Sequence, residues 1–165
     1  WIINSGNYKN TDGLITSNEN IILTLQTADC MPVFIFDRTN SIRGLIHSGW
    51  KGTKDKIINN AIELMFEKGS KSSNIYIVIG ASIQKCCYEV SEEFIDYFDN
   101  GCISRNKGKI FLSLQEQIIA DLRKLNIPQE NIHVDNECTF MNSKLSSYRR
   151  DKGEAGRMIS LLGHY

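Results

Sequence analysis

The chain has 165 residues, with nineteen basic and nineteen acidic side chains and no net charge at pH 7; no overall field draws it to nucleic acid or to an anionic lipid surface. Hydrophobic residues make up 41% and charged residues 23%, an ordinary balance for a globular domain of this length. The sequence has no apolar run of the roughly 20 residues that span a bilayer and no secretory signal. Its five cysteines, an odd number without a regular framework, argue against a disulfide scaffold and for free thiols in the cytoplasm.

The chain opens at Trp1, without a methionine, in what reads as mid-domain sequence, so a missing N-terminal segment is expected. Asp12-Gly13 reads as a turn, Leu14-Ile15 as a brief strand and residues 21–25 as a strand leading to Thr27-Ala28-Asp29-Cys30. Two apolar runs then flank Asp37-Arg38-Thr39-Asn40-Ser41, the pattern of a β-hairpin. Folded about residue 39, positions summing to about 77 or 78 face each other. Cys30 then sits opposite His47, with β-carbons roughly 5 Å apart.

A helix follows, capped by Thr53 or Asp55, with Ile57, Ile58, Ala61, Ile62, Met65 and Phe66 as its buried stripe and Gly69 as its stop. Residues 75–79 form the strongest strand and deliver a loop containing Cys86-Cys87. Ser91 is expected to cap a helix with Phe94, Ile95 and Phe98 inward, and residues 99–109 to form a polar connection. Ser113 and Glu116 have capping-box spacing ahead of a helix with Leu114, Ile118, Leu122 and Leu125 on one face. Ile132-His133-Val134 reads as a strand, residues 135–147 as irregular, and Met158, Ile159, Leu161 and Leu162 as a last short helix. The fold class is mixed α/β, with one mixed sheet or two packed sheets flanked by helices and no domain linker.

Cys30 and His47 admit two kinds of chemistry beyond a buried thiol and a strand-end imidazole. They could be two ligands of a zinc ion, one short of a catalytic site's usual three. They could instead be a nucleophile and base of a metal-free cysteine hydrolase, with Asp29 orienting the histidine. Ser48-Gly49-Trp50-Lys51-Gly52 lets backbone approach a ligand, with Trp50 offering an aromatic face and Lys51 a charge for phosphate. Arg149 and Arg150, with Arg157 at the start of the last helix, form the best anion site. Adjacent Cys86 and Cys87 should point opposite ways on an extended chain, so at most one reaches a given site. His133 and His164 read as non-catalytic.

The segments Thr27-Ala28-Asp29-Cys30-Met31-Pro32, His47-Ser48-Gly49-Trp50-Lys51-Gly52, Cys86-Cys87-Tyr88-Glu89-Val90, Cys138-Thr139 and Ser147-Tyr148-Arg149-Arg150 with Gly156-Arg157-Met158 resemble, in order, the purine nucleoside phosphorylase/laccase-domain family. The resemblance covers nearly the whole chain and implies a single such domain over residues 1–165, related in fold to toxin-type cysteine deamidases. It implies a zinc ion, with copper as the weaker alternative, on Cys30, His47 and a second histidine from a segment upstream of Thr11-Asp12-Gly13. It also implies phosphorolysis of adenosine, inosine, guanosine and methylthioadenosine, with adenosine deamination as a further reaction. Phosphate is then the co-substrate, and Cys30, His47 and Asp29 are catalytic candidates. Lys51, Trp50, Arg149, Arg150 and Cys138 are candidate contacts to nucleoside or phosphate. The chain departs from the family at Ser48, Lys51, Ala81, Gln84 and Lys85. A non-catalytic nucleoside- or metal-binding protein is the remaining alternative. A multicopper laccase is not expected, because three histidines cannot build its centres.

Overall fold

The computed structural model describes residue 2 and residues 4–163, so His164 lies outside the described residues. In chain order, strands β1 (Gly13–Thr16), β2 (Leu23–Thr27), β3 (Met31–Asp37) and β4 (Arg43–Ser48) precede helices α1 (Trp50–Lys54) and α2 (Ile57–Glu67). Then come β5 (Ile75–Ile79), β6 (Glu89–Val90), β7 (Ile103–Asn106), β8 (Lys109–Leu112), α3 (Leu114–Lys124), β9 (Ile132–Val134), α4 (Tyr148–Asp151) and β10 (Met158–Leu162).

A five-stranded mixed sheet of order β1-β4-β3-β5-β9 forms the centre, with only the β5–β9 pair parallel. Strict alternation sets its faces. Val33, Ile35, Ile75, Ile77 and Ile79 are fully buried and pack in one cluster with Ile58, Ile62 and Met65 of α2 and Ile118 and Leu122 of α3. On the opposite face Leu45 joins Ile2, Ile21 and Leu23 in a smaller cluster beneath the β2–β10 ribbon. The mixed α/β architecture with flanking helices is therefore as expected. β6, β8 and β7 form a separate three-stranded sheet.

The β3–β4 hairpin is present, but its register sum is 79: Met31 pairs with Ser48 and Pro32 with His47. The Asp37 carboxylate accepts the Thr39 and Asn40 amides at 2.7 and 3.2 Å, and Ser41 takes a left-handed φ of 53°. This four-residue turn centres the fold between residues 39 and 40. Cys30 thus lies level with Gly49, two pairs beyond His47. Because 77 and 79 are both odd, Cys30 and His47 still share a face.

Four local expectations are corrected. The expected helix is α2, but it starts after a left-handed Lys56 (φ 59°) with no side-chain cap from Thr53 or Asp55, and a separate short helix, α1, precedes it. Thr53 bonds back to the Gly49 carbonyl at 2.9 Å instead of capping α2. Residues Glu92–Tyr97 form a 3₁₀ helix whose Ser91 hydroxyl is turned to Glu93 rather than capping a helical amide. The 99–109 connection contains the β7–β8 hairpin, and Met158–Leu162 is a strand on β2, so Arg157 heads no helix. Ser113 does cap α3, accepting the Glu116 amide at 3.2 Å.

Candidate active site

Cys30 and His47 flank a residue that has room for no side chain. A β-carbon placed on Gly49 would lie 2.8 Å from Cys30 Sγ and 3.9 Å from His47 Cε1. Both groups are half-buried. Burial, followed by the charges of Asp29 and Asp12, pushes the Cys30 thiol up to about 11, so without a cation it stays protonated at neutral pH.

His47 is oriented by Asp12, not by Asp29. Asp12 Oδ1 is 3.0 Å from His47 Nδ1, which leaves Nε2 as the ring nitrogen not engaged by Asp12. Asp12 precedes β1, whose register Gly13↔Ile46 brings residue 12 level with 47. No local sequence signal shows this, since it depends on β1 pairing with a strand thirty residues away. Asp29 serves another purpose. Buried, with a left-handed φ of 82°, it accepts the Thr139 hydroxyl and the Arg149 amide, each at 2.6 Å. It thereby ties the start of α4 to the loop that presents Cys30.

These tethers shape a cleft of about 440 Å³ whose lining includes Asp29, Cys30, Trp50, Tyr88, Phe94 and Arg149. The Trp50 and Phe94 ring centroids are 5.0 Å apart. The Arg149 guanidinium lies 5.1 Å from the Tyr88 ring centroid, with Nη1 donating to the Glu89 carbonyl at 2.9 Å. Burial, then the Cys30 thiol, pushes the Tyr88 phenol up to about 12, so it remains a neutral donor. Lys152 also lines the cleft. Neither Tyr88 nor Phe94 was named as a site residue from sequence: Phe94 read as a core-facing helix position and Tyr88 only as part of the Cys86–Val90 segment.

Other expected residues fall elsewhere. Arg150 donates to the carbonyls of Thr139, Phe140, Asn142 and Leu145 and pairs with Asp151, a structural use that occupies its fork. Lys51 is exposed, with Nζ 5.5 Å from the Trp50 ring centroid. His133 is exposed on β9, three strands from His47, or about 14 Å at ordinary strand spacing. Cys138 is not in the cleft lining but joins the double cysteine. Cys86 Sγ lies 3.1 Å from Cys87 Sγ and 3.8 Å from Cys138 Sγ. Opposite-pointing thiols were expected of an extended chain. Here residues 85–87 turn, with the Cys87 and Tyr88 amides both on the Gln84 carbonyl at 3.0 Å. Burial pushes the Cys87 thiol up to about 12. Burial also opposes the Cys138 thiolate, but the Gln84, Met141 and Phe140 amides outweigh it and lower that thiol.

Residues 2–164 match the family model described as multi-copper polyphenol oxidoreductase laccase. Purine nucleoside phosphorylase YlmD of Bacillus subtilis is 37% identical over 94% of this chain and 59% of its own length. A purine nucleoside phosphorylase of Clostridium acetobutylicum is 36% identical over 92% of this chain and 66% of its own. Among solved structures, Bacillus licheniformis YfiH superposes with a TM-score of 0.89 at 35% identity, covering 94% of this chain and 62% of that one. YlmD of Geobacillus stearothermophilus superposes at 0.87 with 30% identity, over 93% and 60% of the two chains. The chain thus spans about three fifths of the length of several relatives it matches. It belongs to the multi-copper polyphenol oxidoreductase laccase family, several of whose members carry the name purine nucleoside phosphorylase.

Proposed function

We propose that this member of the laccase-like family is the core of a purine nucleoside phosphorylase whose centre is built on Cys30 and His47. The observation that carries the proposal is the cleft itself. Trp50 and Phe94, their ring centroids 5.0 Å apart, line the same cleft as the Arg149 cation and Cys30. A planar purine suits the aromatic wall, and a phosphate suits a guanidinium.

The residues present fit a metal ion. A thiol and an imidazole suit a borderline-soft cation, the space at Gly49 is kept clear of any side chain, and Asp12 fixes the histidine ring as metal-binding imidazoles are usually fixed. Cys30 and His47 would hold it, with a further histidine from an upstream segment. Zinc is proposed, with copper as the second choice. Bound there, the ion supplies Lewis-acid polarisation and activates water, the chemistry that adenosine deamination needs.

The chain's own residues do the remaining work. Trp50 and Phe94 hold the base. Arg149 holds phosphate beside the ribose and Lys152, in the cleft lining, adds positive charge; Lys51, outside that lining, adds charge from α1. Asp29 fixes the Cys30 loop and the start of α4 in one geometry, so that the reacting groups meet in position. In phosphorolysis a phosphate oxygen forms the new bond to ribose C1′ as the bond to the purine nitrogen breaks. The purine leaves with the electron pair and takes a proton. Adenosine, inosine, guanosine and methylthioadenosine are the proposed substrates, and the domain over residues 1–165 and a cytoplasmic location belong to the same proposal.

The alternative of a metal-free cysteine hydrolase or deamidase using Cys30 and His47 needs a thiolate at Cys30. The thiol's rise to about 11 disfavours it. Incubating the full-length protein with adenosine and phosphate tests the proposal. Adenine with ribose 1-phosphate supports it, and activity that survives chelation while iodoacetamide on Cys30 abolishes it favours the hydrolase. Unchanged nucleoside, bound but not turned over, favours a binding protein.

A further inference from the structure

Three thiols that the proposed phosphorolysis does not use meet next in sequence to residues that line or tether the cleft. The sulfurs of Cys86, Cys87 and Cys138 all lie within 4.8 Å of one another, and among the described residues they are the one set of three histidine, cysteine or carboxylate donors at such distances. A tetrahedral zinc ion with sulfur at about 2.3 Å separates its sulfurs by about 3.8 Å. Cys86 Sγ and Cys138 Sγ stand 3.8 Å apart.

The backbone holds the two loops together independently of any ion. Ser82 bridges Cys138, and the Thr139 amide donates to the Ser82 carbonyl at 3.1 Å. The Gln84 amide points at Cys138 Sγ at 3.5 Å, a donor of the kind that steadies a ligating thiolate. Cys86 is exposed, which provides an entry path.

We propose that Cys86, Cys87 and Cys138 form a second metal site, separate from Cys30 and His47, for one thiophilic closed-shell cation, zinc(II) or copper(I). Soft thiolates select these two ions. On binding, metal–sulfur bonds replace the S–H bonds, the protons pass to solvent, and no oxidation state changes. The site joins residues distant in sequence. Tyr88 and Glu89, which follow Cys87, line the cleft, and Thr139, which follows Cys138, bonds Asp29. An ion here therefore braces the wall of the nucleoside cleft.

The test uses reduced full-length protein carrying Cys30→Ala, so that the first site is silent. Cobalt(II), the probe for zinc, should give thiolate-to-metal charge-transfer absorption that saturates at one ion per chain and is lost with Cys138→Ser. Copper(I), titrated anaerobically against a chromophoric chelator, tests the other ion, and a response to copper alone assigns the site to it. The unsubstituted protein gives a second readout that no variant's folding affects. Added zinc or copper(I) should slow alkylation of Cys86 and Cys138 about tenfold or more, because a metal-capped thiolate is no longer a free nucleophile, while buried Cys102 is unaffected. Two outcomes overturn the proposal: no absorption and unchanged alkylation with either ion, or metal-free protein purified under non-reducing conditions with Cys86 and Cys138 joined in a disulfide.

Discussion

Asp12 holds His47 twice: its carboxylate lies 3.0 Å from the ring Nδ1, and its carbonyl accepts the His47 backbone amide at 2.6 Å. The carboxylate is two-thirds exposed, so the contact adds little to stability. Its consequence is for the direction in which Nε2 points.

Asp12→Ala should therefore leave the thermal midpoint of the full-length protein almost unchanged while weakening metal binding about 10- to 100-fold, the usual effect of losing a ligand's hydrogen-bond partner. Competition with a chromophoric chelator measures it. Unaltered affinity would remove Asp12 from the site.

Gly49→Ala is a sharper steric test. Its β-carbon would stand 2.8 Å from Cys30 Sγ, so the thiol must move. Metal content should fall, and overpacking should cost about 1–3 kcal/mol in denaturant unfolding. Gly101→Ala, where nothing lies within 4 Å of the added carbon, is the matched control and should leave metal content as it was.

Asp29→Ala removes a buried carboxylate from the Thr139 hydroxyl and the Arg149 amide and places alanine at a φ of 82°. Loss of those hydrogen bonds should destabilise by about 1–3 kcal/mol, with the backbone strain adding to it. At roughly 2–4 °C per kcal/mol for a chain of this size, calorimetry will resolve the change. Asp29→Asn keeps an acceptor and a residue type that tolerates a left-handed backbone, and should lose less.

Asp37 links stability to pH. Burial works against its charge, but the hydrogen bonds it accepts, among them those of the Thr39 and Asn40 amides, outweigh burial and hold its carboxyl below the usual range. A folded-state value below the unfolded one means the stabilisation is complete above the unfolded value of about 3.9 and is lost as pH falls through the folded value. Unfolding free energy measured from pH 6 downward should decline on the acid side, and Asp37→Asn should flatten that decline while lowering stability at neutral pH.

Much of this arrangement was legible from sequence wherever pattern and local chemistry agreed. The Asp37 turn between two apolar runs gave the hairpin, and Ser113 with Glu116 gave the start of α3. The same-face relation of Cys30 and His47 survived a register difference of two residues because side-chain facing depends only on parity. What failed depended on partners. Met158–Leu162 is short and apolar, a pattern shared by helix and strand, and pairing with β2 decided it. Ile103–Leu112 alternates too weakly to announce a hairpin. Cys86 and Cys87 converge on Cys138 because residues 85–87 turn. Asp29, beside the cysteine in sequence, could equally accept backbone amides or orient His47; it accepts the Arg149 amide, and the strand register gave His47 to Asp12.

The most direct test of the central claim measures metal content and adenosine phosphorolysis together in the full-length protein, unsubstituted and with Cys30→Ala or His47→Ala. Because the thiol trio can hold an ion of its own, metal is compared by difference. Each substitution should remove one ion per chain and, with it, the formation of adenine and ribose 1-phosphate, while circular dichroism stays unchanged. Phosphorolysis that persists in folded Cys30→Ala protein would contradict the assignment of the reaction to this centre.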